Sequence, residues 1–214
     1  MSVDPVDPAD SAARPAAAAA GSTSLRERKK ARTRAAIQRH ALRLFQEQGY
    51  DQTTVEQIAE AAEVSQSTLF RYFPTKEDTV LADEYDPVIV AAFHAQPAEL
   101  SPTTALRQAI RDVFASISDT DRELIRQRQL LALRVPQLRA ASLLHVEQTI
   151  QVIAQAVAER TGREADDLAV RTYAGAMMGA WIAAMFHWAA QPGSEDIFRT
   201  MDEAMAHLED GLPL

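Results

Sequence analysis

The chain has 214 residues, a formal net charge of −8 and no cysteine. Its length allows one large domain or a small domain beside a medium one, and an apolar share of 47% allows a sizeable core. The lack of Cys excludes a disulfide framework, a Cys-ligated zinc or iron–sulfur site and thiol catalysis, and it fits a reducing cytoplasm.

Residues 1–24 are rich in Pro, Ala, Ser and Asp, which predicts a disordered tail. Asp4, Asp7 and Asp10 stand where a secretory signal carries Lys or Arg, so no signal is expected. The charge then changes sign. Residues 25–80 hold ten Lys/Arg against eight Asp/Glu, whereas residues 81–214 hold eleven against nineteen. Eight of the ten basic groups fall between Arg26 and Arg43. A basic module beside an acidic body suits a polyanionic partner that the whole-chain charge would conceal.

Ile37, Ala41, Leu44 and Phe45 recur at i, i+4, i+7 and i+8, which predicts a helix from about Arg28 to Gln48. Gly49 is its expected left-handed terminator. Thr54 with Gln57 has capping-box spacing and opens a second helix with Val55, Ile58, Ala59 and Ala62 inside. Ser65 is the expected N-cap of a third, Gln66 to Tyr72, with Leu69 and Phe73 inward and Pro74 as its stop. Each helix is too short to stand alone. Together they make one small core in a helix-turn-helix arrangement.

The remainder also reads as helical, giving an all-α chain. The expected helices are Thr75 to Ala95, bent near Pro87; Ser101–Pro102 to Ser118; a helix capped by Thr120 and Glu123 that ends at Val135; Gln137 to Arg160, closed by Gly162; Asp166 to Ala190, ended by Pro192–Gly193; and a last one capped by Ser194 that runs to about Glu209. The stretch at 174–190 is apolar nearly all round. At 17 residues with His187 inside, it is short for a membrane span and suits a buried helix shared between a core and a dimer seam. Five scattered histidines, with no HExxH, Gly-rich phosphate loop or GxSxG, give no catalytic constellation. No cofactor or metal is expected, although His94, His145 and His187 on three different helices could in principle converge on an ion.

The segment from about Ala31 to Val80 resembles the DNA-binding domain of the TetR family of transcriptional regulators. The resemblance rests on Ala41, Leu44, Phe45, Gly49, Tyr50, Thr53, Thr54, Ile58 and Ala59 and on the string VSQSTLFRYFPTKEDTV from Val64 to Val80. It implies a DNA-binding domain at 25–74, a ligand-binding and dimerisation domain at 75–214, and a dimer seam built from helices at about 166–190 and 194–209. The implied function is a homodimeric, cytoplasmic regulator, a repressor released from a palindromic operator by a small apolar ligand. The implied partners are double-stranded DNA and that effector, with no membrane. The alternative is a ligand-independent architectural protein or an activator.

The side chains agree with that picture. Gln66, Ser67, Thr68 and Arg71 suit base edges in a major groove: Arg71 suits guanine, Gln66 adenine, and the Thr68 methyl thymine. Thr53, Thr54, Tyr72 and Lys76 suit phosphates at the margins. By resemblance Thr54, Phe70, Tyr72 and Lys76 hold backbone-contact positions, and Phe70 lacks the hydroxyl of the tyrosine often found there. The Arg/Lys run at 26–34 is either a solvated face or an arm along DNA. In the body, Phe93, Phe114, Leu131, Met177, Met178, Trp181, Met185 and Phe186 are candidate ligand-lining residues, against the plain alternative that they are core. Arg126, Arg128 and Arg134 could meet an acidic ligand or water. The LALRVPQLRAASL stretch is similar to regulators of the mycofactocin type, whose domain accepts acyl-CoA-like ligands.

Overall fold

In the computed structural model, residues 25–82, 85–191 and 196–213 are described; the expected tail at 1–24 and the expected stops and cap at Pro192, Gly193 and Ser194 lie outside them. Ten helices and no strand occur among the described residues: α1 Leu25–Gln48, α2 Val55–Ala61, α3 Gln66–Tyr72, α4 Asp78–Leu81, α5 Asp86–Ala95, α6 Pro102–Ala115, α7 Asp119–Arg134, α8 Pro136–Thr161, α9 Leu168–Ala189 and α10 Ile197–Glu209.

The N-terminal helices assemble as their caps dictate. Gly49 takes φ 86°, a left-handed turn that ends α1 at little steric cost. Thr54 and Gln57 form the reciprocal capping box of α2. The stop of α2 is Glu63 at φ 54°, with Val64 N–H donating to Ala59 O at 2.9 Å. This is a Schellman closure with a Glu where Gly is usual. Ser65 then accepts from Thr68 N–H and starts α3. Ile37, Ala41, Phe45, Ile58, Ala59, Leu69 and Phe73 bury one core between α1, α2 and α3.

Three elements differ from expectation. The single helix expected over Thr75 to Ala95 is two. Asp78–Leu81 ends at Ala82, whose extended ψ of 124° breaks the ladder, and Pro87 sits in the first turn of α5 instead of bending a continuous helix. A Pro near a helix start loses no intrahelical hydrogen bond, so it initiates there. The start of α7 is Ser118, which accepts from Asp121 N–H, and not Thr120 with Glu123. Glu123 is drawn to Arg126 at 2.7 Å. Asp196, accepting from Phe198 N–H, caps α10.

In the body, α9 packs between α8 and α10, and α5 pairs with α6. The main core joins Phe93, Ala105, Ala109, Ala154, Val157, Ala174 and Met177. A second cluster joins Phe114, Ala184 and Met201, where the Phe114 and Phe198 rings lie 3.9 Å apart. Arg107 and Arg111 of α6 clamp Asp202 of α10 at 2.8 and 2.6 Å. Burial works to raise the Asp202 carboxyl, but the two guanidinium partners outweigh it and hold it down at about 2. A carboxyl depressed on folding adds stability above its unfolded value, and that stability is lost as pH falls through the folded one. Asp202→Asn is therefore expected to lower the melting temperature at pH 7 by about 4–8 °C, from about 2 kcal/mol of charged hydrogen bonding. The deficit should shrink between about pH 4 and pH 2. A deficit independent of pH would assign the loss to packing.

The two parts of the chain are bolted together at α4. The Arg128 guanidinium on α7 donates to Val80 O at 2.9 Å and Ala82 O at 2.7 Å, and Gln38 on α1 donates to Ala82 O at 3.2 Å. Ala132 and Leu138 from the body join the N-terminal core. Arg126 is occupied by Glu123, while Arg134 is exposed at the last turn of α7. Arg128 is half-buried and its guanidinium is engaged by the α4 carbonyls, which makes it a structural strap.

Candidate nucleic-acid interface and body cavity

On the surface formed by α2 and α3, Gln66, Ser67, Phe70 and Arg71 are exposed, and Thr54 is exposed at the start of α2. Three of the four expected base-reading side chains thus stand exposed on one short helix, with the Ser67 hydroxyl 3.0 Å from that of Ser65. Thr68 is half-buried, its hydroxyl accepting from Ser65 at 2.9 Å. The Arg71 guanidinium lies 5.6 Å from the Tyr72 ring centre, a loose stacking that leaves its donors outward. Phe70 is 45% exposed, a costly placement for an apolar ring in a free monomer and a usable one against sugar. Tyr72 is half-buried, and its carbonyl accepts from Arg34 at 3.3 Å.

Two of the expected phosphate-contacting residues face inward. Thr53 is 1% exposed; its hydroxyl donates to Gly49 O at 2.8 Å and accepts from Gln48 at 3.2 Å. It holds the turn between α1 and α2. Lys76 donates to Tyr50 O at 2.6 Å, with its ammonium 4.0 Å from the Tyr50 ring centre. Burial lowers its pKa, with Glu77 and Asp51 opposing. The Tyr50 hydroxyl, which donates to Glu77 at 2.7 Å, is pushed well above its ordinary value by burial and by that carboxylate.

Lys76→Met is therefore expected to lower the melting temperature by about 4–8 °C, from about 2 kcal/mol. It should leave the salt dependence of DNA binding unchanged. A salt slope reduced by about one would put the ammonium on a phosphate instead.

Arg34, at the end of the basic run, lies 4.5 Å from the Phe73 ring centre and ties α1 to the end of α3. Arg26, Arg28, Lys29, Lys30 and Arg32 are exposed along the first turns of α1.

The body holds a cavity of about 610 Å³. Phe93, Phe114, Met177, Met178, Trp181, Met185 and Phe186 line it as expected. Leu131 does not. It packs against the N-terminal core, and its helix neighbours Ala132 and Leu133 face the cavity in its place, because α7 turns that side toward α4. Sequence reasoning also missed the α8 wall, which includes Arg139, Ser142, His145, Thr149, Val152 and Ala156. Those residues follow helical spacing, which would have shown them to share a face but not what that face meets. Leu81 and Ala82 at the end of α4 also reach the cavity. The histidines do not converge: His94 faces Glu159 at 3.3 Å, His145 faces Asp78 at 3.2 Å and His187 faces Gln191 at 2.8 Å. Among the described residues no helix is long and apolar enough to cross a membrane.

Comparison with known proteins accords with both halves. Residues 37–82 match the family described as bacterial regulatory proteins, tetR family, and residues 100–213 match the MftR C-terminal domain. The chain is 39% identical over 150 residues to the HTH-type transcriptional regulator TcmR of Streptomyces glaucescens, covering 67% of this chain and 66% of that one. It is 30% identical over 151 residues to the putative mycofactocin biosynthesis transcriptional regulator MftR of Mycobacterium tuberculosis, covering 69% and 75%.

Among solved structures, Thermus thermophilus FadR in complex with lauroyl-CoA superposes with a TM-score of 0.53 at 23% identity, covering 85% of this chain and 95% of that one. NalD of Pseudomonas aeruginosa gives 0.54 at 20%, covering 86% and 96%. At these identities the structural likeness speaks for the fold. The helix-turn-helix core, the helical body and the sequence relatives converge on one conclusion: this chain belongs to the TetR family of DNA-binding transcriptional regulators and is not an enzyme.

Proposed function

We propose that the chain is a cytoplasmic, homodimeric repressor that leaves a palindromic operator when a small, largely apolar compound fills the body cavity. The observation that carries the reading is the contact between the cavity and α4. Leu81 and Ala82 line the cavity, and α4 follows the recognition helix α3 after a short turn. A ligand there touches the element that sets the position of α3. Coupling of about 2.7 kcal/mol suffices for a 100-fold change in DNA affinity. The cavity size and its apolar wall suit a drug-sized or acyl-chain compound. Two neighbours of the same fold were solved with such compounds: FadR with lauroyl-CoA, which carries an apolar acyl chain, and SmeT with triclosan.

The division of labour is residues 25–74 for DNA and 75–214 for ligand and dimer. The dimer would form on α9 and α10. Thr172, Ala176, Gly179 and Ala183 recur on one exposed face of α9, small enough for close helix approach. Gln66, Ser67 and Arg71 would read bases, Thr54 and the exposed basic start of α1 would neutralise phosphate, and half-sites would lie about 34 Å apart.

The test is a random-sequence DNA selection followed by anisotropy titration, with thermal shift against apolar compounds. A palindromic site bound by two protomers and released by a compound that raises the melting temperature by about 5–10 °C is expected, about 2.7 kcal/mol at 100-fold excess over Kd. Val152→Trp, at a partly exposed position of the cavity wall, should remove that shift. Binding that no compound changes, and that does not distinguish sequences, would leave an architectural protein.

A further inference from the structure

His145 stands where the cavity meets α4. It lines the cavity from α8, and its Nε2 lies 3.2 Å from Asp78 Oδ1 at the first residue of α4. The other oxygen of Asp78 accepts from Thr75 N–H at 2.9 Å and from the Thr75 hydroxyl at 2.8 Å, while Asp78 N–H donates back to Thr75 Oγ1 at 3.2 Å. That one carboxylate therefore closes the turn linking the end of α3 to α4. Its side chain is 18% exposed and that of His145 31%, so both are partly buried. An ionised carboxylate only accepts, so His145 Nε2 carries the hydrogen and donates it.

The far end of α4 is held differently. Arg128 and Gln38 grip the carbonyls of Val80 and Ala82. Neither Arg128 nor Gln38 lines the cavity. Of these side chains that grip α4, His145 alone also faces the ligand space.

We propose that His145 is the positioning residue that couples the cavity to the recognition helix. The effector carries an acceptor oxygen, a carboxylate or a carbonyl, at the α8 end of its apolar body. That oxygen takes the Nε2 hydrogen from Asp78. Asp78 then keeps only Thr75, and the turn beneath α3 loosens while the Arg128 strap holds. The proposal rests on the cavity being the effector site. It adds which atom senses occupancy and which chemical feature an effector needs: an apolar compound without an acceptor fills the cavity and leaves DNA bound.

The experiment uses full-length protein, its selected operator and dodecanoate as the probe. Operator affinity is read by anisotropy, dodecanoate affinity by calorimetry, and the amides of Thr79 to Ala82 by hydrogen exchange. In the wild type, dodecanoate should weaken operator binding about 10-fold or more and speed exchange in α4. His145→Phe keeps a ring but no donor. Without dodecanoate it should already show the weakened affinity and fast exchange. Dodecanoate should still bind it within about threefold of wild type, and should change its operator affinity by less than about twofold. His145→Gln restores a donor and should restore both affinity and response.

Should His145→Phe fail to fold by circular dichroism, His145→Leu, which likewise removes the donor, carries the same expectations. Normal operator affinity with a full dodecanoate response in His145→Phe overturns the coupling. So does dodecanoate that binds the wild type without changing α4 exchange. If dodecanoate fails to bind the wild type, or binds Val152→Trp as well as wild type, the cavity reading itself falls and the coupling falls with it.

Discussion

Phe73→Ala is expected to lower the stability of the helix-turn-helix by about 3–5 kcal/mol and to abolish operator binding at concentrations that saturate the wild type. Phe73 is 0% exposed, caps the C-terminus of α3 and lies beneath the Arg34 guanidinium. Truncation leaves a cavity between three helices, two of which have only seven residues and cannot persist without their shared core. Whole-domain stabilities of about 5–15 kcal/mol leave little margin for such a loss. Both tryptophans, Trp181 and Trp188, lie in α9, so their fluorescence reports the body alone. In urea, far-UV circular dichroism of the variant should show an early transition that Trp fluorescence does not share. If both signals shift together, α4 and its straps make the two parts one cooperative unit, and the division near residue 74 has no thermodynamic meaning.

Arg71→Ala should reduce preference for the operator over random DNA by about 5- to 150-fold, the range of about 1–3 kcal/mol for a bidentate guanine contact. Arg71 is exposed on the last turn of α3, with its guanidinium 5.6 Å from the Tyr72 ring centre, so its loss disturbs no core. Arg71→Lys should not restore the preference, because an ammonium lacks the planar fork. The measurement is a pair of anisotropy titrations at one salt concentration. An equal fall for both DNAs would place Arg71 on phosphate.

Local chemistry makes much of this molecule legible in its residue order. Apolar residues at helical spacing locate the inner face of α1. Capping side chains place the starts of α2, α3 and α6, and Gly49 and Gly162 mark two ends. These signals act within one turn of backbone, so the chain carries them wherever it is. The same applies to the apolar face of α9, whose Met and aromatic side chains line the cavity. Signals that compete locally are harder to resolve. Ser118 and Thr120 both suit a cap, and the choice falls to Ser118 once Glu123 is taken by Arg126.

Residue type and order alone determined that the chain is all-helical, that a small basic helix-turn-helix precedes an acidic body, and that Gln66, Ser67 and Arg71 face outward. Tertiary structure alone decided the direction of side chains whose type suits two roles. Thr53 and Lys76 could serve phosphate equally well by composition. The fold turns Thr53 onto Gly49 O and Lys76 onto Tyr50 O, because the turn between α1 and α2 brings those carbonyls within reach of both side chains. Leu131 could have faced a ligand, and α7 turns it onto the helix-turn-helix instead. Arg128 and His145 meet α4 across separations of 46 and 67 residues. Spacing within one helix carries no information about such a partner, since it depends on how whole helices pack.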